Sequence, residues 1–362
     1  MTDNTTAQVG DFISDNPDFM DALAAAQEKL FVARDMATEG TAADLHCLDV
    51  VALFGASASL YDMQDEIERV IAACAGKDRP AFWQLALPYL AVEADRRYAR
   101  RNLLEQAWPH IRGLAGDLAR LDAATLARTF SALVDGADEA TAGDNEFRAY
   151  ALAYAALSLC DEAAQRLGQP TEDIDRAIEG LYKRIHGRFA NDDGSFGEGT
   201  PESYALAAAL GLGDGREMAV RLAKLACGGD VTADAITTAF AFDVLNRYGH
   251  DDVAEQWLLA GAQPNAARWL FQGLGGIRVA DDAVAADHIE VRPYFSTKTD
   301  NVTCSYKTPR GQLFLTWERK GANIALTLMV PAGTQVDLWL DGALQVIPSD
   351  PDPITQAFLI EG

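Results

Sequence analysis

The chain has 362 residues, 49% of them apolar and 23% charged, enough for one large globular domain and a smaller one, each with its own core. A formal net charge of −24 repels phosphate backbones and anionic headgroups, which argues against nucleic acid and against a membrane surface as partners. No apolar run reaches the roughly 18–20 residues that a membrane span needs.

The opening MTDNTTAQVGDF has neither a basic start nor an apolar core, so it does not have the form of a secretory signal. Residues 1–11 are expected to form a short disordered leader, and the protein to be cytoplasmic. Five scattered cysteines, Cys47, Cys74, Cys160, Cys227 and Cys304, form no C-x-x-C pair and are expected to be buried free thiols in a reducing compartment.

From about Asn16 to Gly276 the apolar period is near 3.6. Thirteen helical segments are predicted, near 16–38, 42–55, 58–75, 80–95, 98–120, 122–135, 144–168, 171–190, 200–211, 214–227, 232–248, 250–261 and 264–275. In the eighth, Thr171 precedes Glu172 and Asp173, and Ile174, Ile178, Leu181, Ile185 and Phe189 form one stripe. The helix before it carries Phe147, Tyr150, Tyr154 and Leu157 at the same spacing and stops at Gly168, with Pro170 just beyond. Alternate segments are richer in small apolar residues, as in TPESYALAAALGL and TADAITTAFAFDVL, while their neighbours carry more charge. A ring of inner helices inside an outer ring, an (α/α)6 barrel, produces that alternation. An α-solenoid also would, although no fixed-period repeat is visible.

After Gly276 the period becomes two. The runs IRVADDAV, HIEVRPYF, VTCSYKTP, GQLFLTWERKG, NIALTLMVPAG and TQVDLWLDG predict an antiparallel β-sandwich. The chain is therefore mainly α with a β domain: a six-hairpin toroid over 12–276 and a small sandwich over 277–362.

Several stretches, in order, resemble the bacterial α-L-rhamnosidases. LPYLAVEADRRYARRNLLEQAWPHIRGLAGDL is similar to that family's segment in which a Pro-aromatic pair leads into a long outer helix. In FANDDGSFGEGTPESYALAAALGL, Thr200, Tyr204, Ala205, Leu206 and Ala207 match its Gly-Thr-Gln-Thr-x-Tyr-Ala-Leu-Ala segment. FDVLNRYGHDDVAEQWLL and RWLFQGLGGIRV resemble the last two hairpins. HIEVRPYF, YKTPRGQLFLTWERKG and LTLMVPAGTQVDLWL resemble the C-terminal β-domain, most clearly at Pro331-Ala332-Gly333-Thr334. Two acidic segments of the family have no counterpart. GTAADLHCLDV stands where an Arg-rich acidic stretch ending in Gly-Trp belongs, and a Trp-Glu-x-Trp segment is missing between Leu259 and Pro264. Trp317-Glu318 and His288 match structural positions of the β-domain.

In such a barrel the inner helices run parallel, so their N-termini gather around one pocket with a positive dipole. The resemblance places the inner starts near Asp44, Trp83, Asp144, Glu202, Asp234 and Asn265, four of them acidic. Glycoside hydrolysis needs a protonated carboxyl for the leaving oxygen and an ionised one to activate water, held about 6.5–9.5 Å apart in inverting enzymes. The candidates are Glu202, then Asp144 or Glu146, then Asp44. Capping alone also places acids in a first turn, and Thr200-Pro201-Glu202 is an ordinary helix start.

Trp83 and Trp269 offer aromatic faces to a sugar ring, or pack in the core. Arg148 and Arg268 suit a carboxylate-bearing sugar, or neutralise the acidic ring. Tyr204 and Asp234 complete the substrate-binding set. Asp44, His46 and Asp49 do not share one helix face, so no metal is expected, and no motif calls for a cofactor. His250 follows a Gly at a helix end and is expected to cap. The sequence thus supports a rhamnosidase-like glycosidase acting on carbohydrate by inverting hydrolysis. A catalytically inactive relative that binds a sugar or a protein, and a lyase or epimerase on the same barrel, are the alternatives. The oligomeric state is left open.

Overall fold

The computed structural model describes residues 8–39, 47–74, 83–120, 142–227, 235–261 and 265–361. The helix predicted near 122–135 lies outside them. Twelve helices appear among the described residues. The first six are α1 (Pro17–Glu39), α2 (Cys47–Leu60), α3 (Gln64–Cys74), α4 (Trp83–Tyr98), α5 (Arg101–Arg120) and α6 (Ala142–Leu167). They are followed by α7 (Glu172–Phe189), α8 (Pro201–Ala209), α9 (Gly215–Ala226), α10 (Ala235–Arg247), α11 (Asp251–Ala260) and α12 (Ala266–Trp269), the last continued by a π-turn over Leu270–Leu274.

Local chemistry sets the ends of these helices. Thr200 caps α8 by accepting from Ser203 N, with Pro201 in the first helical position, and Asp214 caps α9 through Glu217 N. Gly168, at φ 64°, ends α6. Thr171 sits before α7, but its hydroxyl donates to Asp175 Oδ2 at 2.8 Å rather than capping a backbone amide. His250 precedes α11 with no side-chain cap bond either, contrary to the expectation that it caps; Asp251 and Asp252 supply the negative charge of the first turn.

Even-numbered helices form the inner ring and odd-numbered ones the outer. Along the inner ring α2 packs on α4, α4 on α6, α6 on α8 and α8 on α10; α10 and α12 then close back onto α2. Outside it α3 packs on α4, α5 on α4 and α6, α7 on α6, α9 on α8, α11 on α10, and α1 on α12. That closure excludes the open superhelix. It also accounts for the alternation in the sequence. α8 is buried from Ser203 to Ala208 on every face, whereas α9 buries only the stripe Met218, Ala219, Leu222 and Ala223. No helix among the described residues is long and apolar enough to cross a membrane.

Nine strands form two sheets. The five-stranded antiparallel sheet runs β1 (Gly10–Ser14), β4 (Asn301–Thr308), β5 (Gly311–Lys320), β6 (Asn323–Val330) and β9 (Ile354–Glu361). The four-stranded sheet runs β2 (Ile277–Val279), β3 (His288–Val291), β7 (Gln335–Leu340) and β8 (Ala343–Ile347). Three features depart from the expectation. Residues 8–11 are not a disordered leader: Gln8 bridges to Tyr61, and β1 pairs with β4 in the register Phe12 to Cys304. Residues 12–14 consequently belong to a sheet of the β-domain rather than to the barrel. β3 and β7 pair in parallel, so the sandwich is mixed rather than purely antiparallel. Cys160 and Cys304 are buried and free, but Cys227 is exposed at the end of α9.

The two parts meet over a packed seam. Trp317 is fully buried, and its indole N–H donates to Leu274 O at 3.2 Å at the barrel's last turn. The loop 281–287 lies on the ends of α4 and α6, with Ala285 N donating to Asp95 O, Ala286 N to Arg96 O, and Arg166 Nη1 to Ala283 O. The first two satisfy carbonyls at the end of α4 that would otherwise lack donors, and the third ties the end of α6 to the loop.

Candidate functional site

The ends of the inner helices sort onto opposite faces of the barrel. Ser59, Arg97 and Gln272, near the C-terminal ends of α2, α4 and α12, line one small cavity together with Ile277, Val279 and Tyr306 of the β-domain. The N-terminal ends meet at the other face. There Arg148 of α6 pairs with Glu202 of α8, and Asn265 Nδ2 before α12 donates to Thr238 Oγ1 of α10 at 3.0 Å. Parallel inner helices thus place four of their beginnings around one mouth, where free N–H groups favour negative or polar ligands.

At that mouth Glu202 and Arg148 are both mostly buried, with side-chain exposures of 14% and 10%, and their charge-assisted bond joins α6 to α8. A carboxylate bonded to a guanidinium has no proton to give. Its geometry suits a base or a binding group. Glu146, two residues before Arg148 on α6, turns outward to Arg188 on α7, at 2.7 Å, and so faces the outer ring. Asp44 and Asp234 lie outside the described residues, as do His46 and the side chains of Asp49, Trp83 and Asp144; Trp83 and Asp144 sit in the first turns of α4 and α6. No group of three or more His, Cys, Asp or Glu that could hold a metal occurs among the described residues.

Two predicted binding residues do not present themselves to a ligand. Trp269 is 1% exposed, and its indole N–H donates to Asp251 Oδ1 at 3.2 Å, behind the inner ring. The packing alternative holds for it. Tyr204 is also buried, with the hydroxyl end of its ring against the Gly199 turn. Arg268, by contrast, stays partly exposed at mid-height in the barrel, against Gly55 of α2.

Below the mouth lies a group of charges that the sequence reasoning missed. Glu93 of α4 is 2% exposed and bonds both Arg97 and Arg96. Burial alone would raise its pKa, but the two guanidiniums outweigh it and hold the carboxyl at about 2. Asp243 of α10 behaves alike: burial is outweighed by Arg278, Arg268 and Arg247, again giving about 2. Tyr89, stacked edge-on against Phe54 at 5.7 Å, is pushed to about 12 by burial and by the Glu93 charge. Both carboxylates are ionised at neutral pH and act as counter-ions. The helical (i,i+4) spacing of Glu93 and Arg97 was a usable signal; the contact of Asp243 with Arg278, across two domains, left none.

His288 in β3 bonds Asp282 at 2.7 Å and lies 3.3 Å from Asp337, on the β-domain surface away from the mouth. Burial tends to lower its pKa, but the two carboxylates raise it. This is a structural contact, in line with its expected role.

Residues 281–348 match the bacterial alpha-L-rhamnosidase C-terminal domain. No curated protein matches the sequence significantly. Among solved structures, the chain is similar to the Streptomyces avermitilis α-L-rhamnosidase complexed with L-rhamnose, with a TM-score of 0.80 at 14% identity, over 99% of this chain and 42% of that one. Against native α-L-rhamnosidase from Aspergillus terreus the TM-score is 0.77 at 14% identity, over 97% and 50%. Against α-L-rhamnosidase from Dictyoglumus thermophilum it is 0.69 at 11%, over 99% and 50%. The chain spans half or less of the length of these proteins. The chain thus matches the bacterial alpha-L-rhamnosidase C-terminal domain over residues 281–348 and has, over nearly its whole length, the fold of the α-L-rhamnosidases.

Proposed function

We propose that the barrel mouth is a carbohydrate site and that the protein is a glycoside hydrolase of α-L-rhamnosidase type. The observation that carries this reading is the whole-chain likeness to an α-L-rhamnosidase complexed with L-rhamnose, with the N-terminal ends of the inner helices meeting at one face. In an inverting scheme Glu202, positioned by its bond with Arg148, is the base that takes a proton from the attacking water. The acid that protonates the leaving oxygen is then Asp144 or Asp44.

Release of 4-nitrophenol from its α-L-rhamnoside, compared between the native chain and Glu202→Gln, tests this. Loss of the base is expected to lower kcat about 10²–10⁴-fold with little change in KM. Equal rates in the two proteins would remove Glu202 from the chemistry. No turnover on a panel of aryl glycosides would remove the enzyme reading.

A second reading has an observation of its own: the described mouth carboxylate, Glu202, is bonded to an arginine, Arg148. Such a pair suits a site that binds sugar without cleaving it. Saturable binding of L-rhamnose by calorimetry, with no turnover, would select this alternative.

A further inference from the structure

The four-stranded sheet ends on β8, whose sequence Ala-Leu-Gln-Val-Ile holds neither a charge nor a proline, in a chain of net charge −24. Sheet borders are normally kept from pairing with other molecules by lysines, prolines, bulges or a covering element. On the barrel side the covering element is present. There β1 lies against α2, with Val9 N donating to Leu60 O at 2.8 Å, and β2 lies against the barrel's last turn. β8 has none of the sequence devices. It pairs with β7 through all five residues without a bulge, and the turn residues Asp341 and Gly342, at φ 50° and 76°, fix the hairpin. Leu344 is 45% exposed and Val346 55%, and Trp339, paired with Leu344 on β7, is 38% exposed.

The order of these residues fits a second copy of the same strand. A two-fold axis perpendicular to the sheet keeps every side chain on its own face, so facing residue numbers must add to an even sum. Among such registers, the one centred on Gln345 uses the whole strand. It sets Leu344 against Val346 of the second copy, Val346 against the second copy's Leu344, and Ala343 against its Ile347. On the outer face Trp339, Leu344 and the second copy's Val346 then form one apolar row across three strands, and the symmetry repeats it. Neither strand brings a charge to the pairing.

We propose that β8 pairs antiparallel with β8 of a second copy, joining two four-stranded sheets into one of eight and making the protein a two-fold dimer. The contact is about 17 Å long, at the small end of specific interfaces, so the dimer dissociates in the micromolar range.

Sedimentation equilibrium of the full chain over a wide concentration range tests this. The mass is expected to rise from monomer to dimer and no further. Association should tighten with added salt, because screening relieves the repulsion between two acidic chains. Val346→Lys should weaken it at least about tenfold, since each copy then sets a lysine at the border beside Leu344. Leu359→Lys, the same change of charge on β9, should leave it unchanged. Both positions are more than half exposed, so neither lysine disturbs the core of the monomer. In a Cys227→Ser background, which removes an exposed thiol, Gln345→Cys should give a disulfide-linked dimer on oxidation, because the axis brings the two thiols face to face. Leu344→Cys, whose copies lie on the diagonal, should give far less. A chain that stays monomeric at every concentration, an association untouched by Val346→Lys, or growth beyond the dimer, as pairing of β8 with β9 would give, would overturn the proposal.

Discussion

Glu93→Gln is expected to destabilise the protein by about 3–5 kcal/mol, the loss typical when one member of a buried ion pair is removed. Glu93 is the carboxylate that Arg97 bonds, and Arg97 is itself only 8% exposed. Arg96 keeps Glu162 at 2.7 Å and suffers less. The midpoint of urea unfolding should fall at constant slope, since the surface exposed on unfolding does not change. Adding Arg97→Met to Glu93→Gln should recover most of the loss, because no unpaired charge then remains. A single-variant loss below about 1 kcal/mol would show that water reaches Arg97 freely.

The same pair fixes the acid limb of stability. A carboxyl whose folded pKa is depressed contributes stability above its unfolded pKa and loses it as pH falls toward the folded one. For Glu93 that window runs from 4.5 down to about 2, and for Asp243 from 3.8 down to about 2. Stability measured across this range should decline less steeply in Glu93→Gln than in the native protein.

Gly276→Ala is expected to cost about 2–5 kcal/mol, the sum of roughly 1–2 for the left-handed backbone and 1–3 for overpacking. Gly276 has φ 72°, and a Cβ there would stand 2.3 Å from Pro293 N and 2.5 Å from Arg292 C. Those are backbone atoms, fixed by the bond from Arg292 N to Gly276 O at 2.8 Å, so they cannot swing aside. Gly168→Ala is the control. At φ 64° with nothing within 4 Å of its added carbon, it should cost only the backbone part. Equal losses for the two alanines would mean that the barrel-to-sandwich bend relaxes around the extra methyl.

The hairpin architecture was legible because burial on all faces and burial on one stripe leave different composition. α8 and α9 are such a pair, and the Thr200-Pro201 start and Gly168 stop marked helix ends by local chemistry alone. β1 escaped because Phe12 is its one large inward side chain, and β8 because four of its five residues are exposed. Alternation assigns a face to a strand but not a neighbour, so the parallel pairing of β3 with β7 had no sequence signature.

At the mouth, the residue types were readable but their partners were not. Glu202 finds Arg148 and Glu146 finds Arg188 through packing between helices, and the buried Trp269 finds its acceptor, Asp251, on a different hairpin. Such contacts depend on how the rings nest, which periodicity does not record.

The five-stranded sheet begins with β1 and ends with β9, so strands from both extremes of the chain form its two borders. The entire barrel is thereby a loop whose two roots are stitched together, Gly10 opposite Tyr306. Closing so long a circuit costs only modestly more free energy than closing a short one, but contacts so distant in sequence slow the search. A fragment starting at residue 277 would lack that border and leave the ladder groups of β4 open to neighbouring molecules. The sandwich is therefore not a detachable module: loosening the barrel's entry strand unseals the sheet at the far end of the sequence.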